Sequence, residues 1–382
     1  MVTIQKLKVQ LLRFLPNKLF IICLFLFANY IFSQEVFVTY YSETKKIRES
    51  YEGVVINGDT VKNGLYKIYH NNDSLWQIGS FISDTLTGYW LDYFPNGQLK
   101  QKLYFEKGTL EDTSYSYYDN GGEHQVNVYK KDVLNGVCRT YYDNGVLKSE
   151  NFYLNNLMNG PQKIYYKNGN IKEFYNAISG EKFGDNIVYY KNTPRQVQKE
   201  CSYNSFGLNG KMIGYYESGN KMNESFFLND NIHGPYKEFF DSSLVLLSIL
   251  GEYEKSEKSG FWRTYYPNSE TYIEGAYEKS KRNGEWNIYY PNKKLKQNGS
   301  YLLGKESGKW MFYSENGKIN QIGYYLNGTR VGQWNSYYNK NQLKSILFYH
   351  NGKKNGMAYG YGLDGKLIEK AFYVDDEIYY SN

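Results

Sequence analysis

The stretch Gly284-Glu285-Trp286-Asn287-Ile288-Tyr289-Tyr290-Pro291-Asn292-Lys293-Lys294-Leu295-Lys296 decides the fold of this chain. It holds a run of strand-forming aromatic residues, a Pro-Asn turn signal and the start of a second apolar run. A near copy stands at Gly88-Tyr89-Trp90-Leu91-Asp92-Tyr93-Phe94-Pro95-Asn96-Gly97-Gln98-Leu99-Lys100. Outward from these two, a glycine opening a short aromatic run recurs at Gly64, Gly136, Gly160, Gly184, Gly210, Gly234, Gly260, Gly308, Gly332 and Gly356, and Asp112 takes its place once. Of the twelve intervals so defined, ten are 24 residues and two are 26. A fixed period of this size means one supersecondary unit per repeat.

With the glycine as position zero, +5 is aromatic in all thirteen units and +6 in ten. Asn or Ser fills +8 in eleven, often followed by glycine, and another aromatic falls at +17, as in Phe81, Tyr153, Tyr277 and Tyr349. Asn-Gly suits the left-handed backbone of a two-residue hairpin turn. Positions +1 to +7 are therefore expected to form one strand and +10 to +18 the returning one. The fold class that follows is all-β, an elongated antiparallel β-hairpin repeat array, a meander of about thirteen two-stranded units. Five of the six tryptophans fall at +2: Trp90, Trp262, Trp286, Trp310 and Trp334. Alternation along a strand puts +2, +4 and +6 on one face. Trp262, Trp286, Trp310 and Trp334 with Tyr266, Tyr290 and Tyr338 are then expected as a continuous aromatic ladder. It serves either as intramolecular packing or as a groove for a partner.

Residues 1–34 read as a secretory signal peptide. Lys6, Lys8, Arg13 and Lys18 precede an apolar run from Leu19 to Phe32, the length of a signal core and short for a membrane span. Cys23 follows Ile22, so it lacks the small neighbour of a lipoprotein cysteine. Residues 35–63 read as an N-terminal cap and partial repeat, with Tyr40-Tyr41 and Tyr51, and residues 64–379 as the repeats. Asp375, Asp376 and Glu377 read as charges that discourage edge pairing. Without the leader, 41 basic residues face 39 acidic ones. That balance gives no concentrated basic surface for nucleic acid and no basic face for a membrane. After signal removal no membrane insertion is expected.

The units at Gly88 and Gly284 resemble the MORN-repeat variant, because Gly, Trp, paired aromatics, Asn and Leu-Lys occur together in register. The resemblance covers roughly residues 60–375, is strongest from Gly260 to Gly332, and departs at Asp112 and at Thr193-Pro194. The family includes bacterial envelope proteins and antitoxin or immunity proteins. It implies a β-hairpin array and no defined chemistry.

Catalysis needs unlike groups converging at one place. The four histidines, His70, His124, His233 and His350, fall in different units. Cys138 and Cys201 lie more than two units apart, too far for a disulfide. Glu252, Glu254 and Glu257, interleaved with Lys255 and Lys258, read as a solvated turn. No catalytic, cofactor or metal site is expected. The functional expectation is a non-enzymatic scaffold for protein–protein interaction in the bacterial envelope or outside the cell: periplasmic, outer-surface or extracellular. Two alternatives stand beside it, an immunity or antitoxin-like protein with a toxin partner and a glycan- or peptidoglycan-binding module using the aromatic ladder.

Overall fold

The computed structural model describes residues 5–7, 34–338 and 342–381. The apolar run Leu19–Phe32 and Cys23, on which the signal-peptide reading rests, lie outside the described residues. The chain divides into two compact units, Met1–Lys182 and Phe183–Asn382. Both are antiparallel hairpin arrays, and no helix occurs among the described residues. The all-β repeat array expected from the periodicity is the fold observed. Each strand pairs with its neighbours in sequence: Lys281–Tyr289 pairs with Thr271–Glu278 on one side and Leu295–Leu302 on the other. Strands thus run from −3 to +5 and from +11 to +18.

The first turn is not the two-residue turn expected there. At the first, Tyr142 N donates to Val146 O at 2.8 Å and Gly145 N to Tyr142 O at 2.9 Å. Only Gly145, φ 80°, is left-handed there. This is a three-residue loop, a type I turn closed by one left-handed residue. Asn144 instead ties the loop to its surroundings. Its Oδ1 accepts from Val146 N at 3.3 Å and its Nδ2 donates to Lys167 O of the next repeat at 3.3 Å. The left-handed pair lies in the second turn, as at Asn155 and Asn156 (φ 50° and 66°) or Lys255 and Ser256 (49° and 68°). Those are the two-residue turns whose twist suits a hairpin. Asp375 and Asp376 (49° and 76°) form one more of them. They lead into a further strand, Glu377–Ser381, which pairs with the strand before it. They are turn residues, so the edge-blocking role expected of them is corrected.

Position zero is left-handed in every unit, between 62° at Asp112 and 132° at Gly136. Asp is among the few residues that tolerate this conformation, which is why it can replace glycine once. The residue sits in a bulge: between Asn298↔Met311 and Ser300↔Ser307 the return strand has Gly299 alone against Gly308, Lys309 and Trp310. The bulge leaves the +16 carbonyl without its ladder partner. In several repeats the +2 side chain supplies the donor, although the Trp90 and Trp310 Nε1 groups are buried without a partner. Trp286 Nε1 reaches Ala276 O at 3.1 Å, Trp334 Nε1 reaches Tyr324 O at 3.3 Å, and Gln162 Nε2 reaches Phe152 O at 3.0 Å.

A hydroxyl column ties the first turns together. Tyr142 O–H donates to Tyr165 O (2.9 Å), Tyr216 to Phe239 O (2.9 Å) and Tyr290 to Tyr313 O (2.9 Å). His70 takes the same place, its Nε2 3.2 Å from Tyr93 O. Tyr41 O–H donates to Tyr69 O at 2.7 Å, and Phe37 is buried like a +2 residue. The hairpin of Glu35–Tyr40 with Ile47–Ile56 is therefore one more repeat, joined through a longer connection.

Candidate functional site: a cation-bordered groove on the tryptophan column

Trp262, Trp286, Trp310 and Trp334 are 4%, 3%, 3% and 1% exposed. What buries them is the residue eleven positions earlier, at +15 of the preceding repeat, or at +17 in the 26-residue repeat before Trp262. It is glycine in every case: Gly251, Gly275, Gly299 and Gly323 in the second unit and Gly79 before Trp90 in the first. A Cβ on any of these five would stand 2.0–2.3 Å from the indole ring. Where +15 carries a side chain, the next +2 residue is smaller, as in Leu103 before Ser114 and Leu347 before Ala358. Each ring is also sandwiched edge-on by +17 tyrosines. Tyr277 and Trp286 lie 5.1 Å apart at 88°, Trp286 and Tyr301 6.0 Å at 80°, and Tyr301 and Trp310 5.2 Å at 88°. Edge-to-face pairs of this kind add about 0.5–1.5 kcal/mol each beyond their burial.

The expected stripe of tryptophans with Tyr266, Tyr290 and Tyr338 is corrected accordingly. The tryptophans form the core. The three tyrosines lie past the strand end at +5, where alternation no longer holds. Their hydroxyls donate to Tyr289 O, Tyr313 O and Tyr361 O at 2.9, 2.9 and 3.0 Å. Their rings are covered by the +12 residue: Tyr272 at 5.0 Å from the Tyr266 ring, and the Lys296 and Lys344 ammoniums at 5.7 and 5.6 Å from Tyr290 and Tyr338.

The residues not anticipated are the cations at −2. Lys258 Nζ lies 4.1 Å from the Trp262 ring centroid, Arg282 Cζ 4.4 Å from Trp286, and Arg330 Cζ 4.2 Å from Trp334. A Lys or Arg four residues before a tryptophan is visible in the sequence three times, and that was the available signal. Between the first two runs a groove of about 330 Å³, bordered by Lys258, Arg263, Arg282, Tyr272, Ile273 and Tyr277. Burial works against the Arg282 charge, but bonds with the Tyr277 and Tyr301 hydroxyls prevail and hold the guanidinium above its ordinary value. Arg330 is held up in the same way by Tyr325 and Tyr349. Burial raises Tyr301, with Arg282 pulling it down. The site can therefore present permanent positive charge beside an apolar floor.

The other sequence candidates remain apart. The His124 ring lies 4.5 Å from that of Tyr118, tilted at 47°, and His233 Nδ1 accepts from Lys255 N at 3.4 Å. Cys138 and Cys201 are buried and not joined by a disulfide; Cys201 Sγ donates to Asn186 Oδ1 at 3.5 Å, and burial pushes the Cys138 thiol up. Glu254 and Glu257 flank the turn at Lys255 and Ser256. Among the described residues no group of three metal-binding side chains occurs, and no helix is long and apolar enough to cross a membrane.

The family described as MORN repeat variant matches residues 86–107, 134–155, 158–173, 208–229, 282–302 and 306–327. The six matched segments fall within the repeats whose residues carry the resemblance. No curated protein matches the chain. Among solved structures, that of TcdB2-TccC3 is similar over 89% of this chain and 20% of its own, at 10% identity and a TM-score of 0.17. That of TcdB2-TccC3-Cdc42 is similar over 89% and 23%, at 12% identity and 0.15. The chain thus spans only about a fifth of these structures' length, and at such scores the likeness carries no argument.

Proposed function

We propose that this chain is a non-enzymatic scaffold for protein–protein interaction, acting in the bacterial envelope or outside the cell. The repeated positions are consumed by the array itself: tryptophans in the core, tyrosine hydroxyls and turn asparagines between repeats. What is left for recognition is the set of side chains that vary from repeat to repeat. The observation that carries the reading is an apolar row beside the second turns, where Leu302, Leu303 and Leu326 of successive repeats are 56%, 62% and 57% exposed. Contiguous exposed apolar side chains mark interaction surfaces.

The test uses the full chain and a Leu302→Ser/Leu326→Ser variant as baits in native envelope extract, both shown folded by circular dichroism. Enrichment of one discrete protein by the parent and its loss with the variant supports the reading. Equal enrichment by both removes this row from it.

A further inference from the structure

In the second unit the −2 cations form a column: Lys258, Arg282, Arg330 and Lys354, with Glu306 in the intervening repeat. They differ from the cations of the unit that are paired with carboxylates. Arg263 is tied to Glu274 at 2.6 Å and Lys211 to Glu224 at 3.3 Å. Among the described residues none of the four −2 cations has a carboxylate within salt-bridge distance. Their contacts are rings and hydroxyls. Arg282 Nη1 donates to Tyr301 Oη at 3.0 Å, Arg330 Nη1 approaches Tyr349 Oη at 3.5 Å, and Lys354 Nζ lies 4.9 Å from the Tyr373 ring. A guanidinium has five donors in a fixed fork. Each arginine therefore keeps donors that the protein does not occupy, and its position is set by the ring beneath.

We propose that this column binds a linear acidic polysaccharide, with one acidic group seated in the groove between Lys258 and Arg282 and others at Arg330 and Lys354. Charge complementarity and spacing select this occupant. Successive repeats are two strands apart, about 10 Å. Same-side residues of an extended peptide recur at about 7 Å, so an acidic strand falls out of step with the column. A glycan in which acidic and neutral sugars alternate carries its charges two rings apart, a wider interval. Single-stranded nucleic acid is recognised by stacking bases on exposed rings, and the tryptophans here are buried. Tyr277 and Ile273, on one face of their strand, provide the apolar wall for a sugar face. Glu306 interrupts the column and is the repulsive position within it. The site is separate from the leucine row, so either can fail without the other.

The experiment is calorimetric titration of the full chain with hyaluronan decasaccharide, which carries a carboxylate on every second sugar. Neutral dextran, a polyglutamate peptide and oligo-dT of similar length are the comparison ligands. The expected result is binding to hyaluronan alone that weakens as salt screens the charges. Arg282→Gln/Arg330→Gln should lose about tenfold or more in affinity, as charge-assisted bonds are removed. Arg282→Lys/Arg330→Lys should keep most of it. Glu306→Arg should tighten binding several-fold. Tryptophan fluorescence establishes that the variants are folded, and if the Gln pair is not, the Glu306 arm decides. No binding by the parent, unchanged binding by the folded Gln pair, no gain with Glu306→Arg, or equal binding of polyglutamate or oligo-dT overturns the proposal.

Discussion

Gly323 lies beneath the Trp334 ring, so close that a Cβ on its backbone would stand 2.0 Å from Trp334 Cδ2. Non-bonded carbons rest at about 3.5 Å or more, so the ring must retreat by about 1.5 Å. It has little room, because Tyr325 stands 5.1 Å away on one side and Tyr349 6.0 Å on the other. Overpacking of this kind costs about 1–3 kcal/mol, and Gly323→Leu should reach the upper part of that range. Trp334→Ala, which empties the core instead, should cost about 3–5 kcal/mol. One repeat later the same seam is built the other way round, Leu347 beside Ala358. Gly323→Leu/Trp334→Ala copies that arrangement and should be less destabilised than the sum of its parts by about 1–3 kcal/mol. A repeat array need not unfold in one step, so the cycle is read by hydrogen exchange of residues 319–350 alongside urea unfolding. Additivity of the two substitutions within about 0.5 kcal/mol would refute the size-matching argument.

Three further outcomes follow from the same contacts. Burial, then the bond to Glu274, pushes Tyr289 up to about 12 from an ordinary 10.0, and burial raises Tyr253, Tyr301 and Tyr313 as well. The folded state favours the protonated phenols, so their contribution is complete below pH 10 and is lost as pH rises through the folded values. Urea midpoints should be unaffected by these groups up to about pH 10 and fall above it. Ser114, Cys138, Gln162 and Asn186 occupy +2 in place of aromatic rings, and Gln162 Oε1 and Ser225 Oγ are buried without a partner. Amides of residues 112–225 should exchange faster than those of 247–350, measured by mass spectrometry. Tyr266→Phe keeps the ring over Tyr272 but removes the 2.9 Å bond to Tyr289 O. It should cost about 1 kcal/mol, seen as faster exchange around Tyr289 and no change at distant repeats.

The glycine period, the aromatic +5, +6 and +17 positions and the hairpin array were legible because each is a strong local signal repeated in register. The turn types were not. Asn96-Gly97 serves a two-residue turn or a three-residue loop equally well, and only the interval from Tyr93 to Leu99 with the Asn96 side-chain bonds separates them. Lys255-Ser256 and Lys279-Ser280 hold left-handed pairs with no turn signature at all, because the stacked neighbouring turn imposes the geometry. Ser280 N donates to Lys258 O at 2.9 Å. Burial of the tryptophans was written in the sequence as the glycine eleven residues earlier, a correlation between repeats that a strand-by-strand reading passes over. The −2 cations needed coordinates, since four residues of separation across a bulge do not tell whether Arg282 and Trp286 touch.

The glycine–tryptophan seam also acts as a splicing grammar for the gene that encodes it. Excising residues 276–299 would bring Gly275 against Trp310, a permitted junction, and the shortened chain should close up without a scar. Excising 324–347 would set Gly323 against Ala358 and leave a hole. Excising 226–251 would set Ser225 against Trp262, where the ring tolerates no side chain. Between Gly251 and Trp334 every whole repeat can therefore be lost or gained with the seam intact.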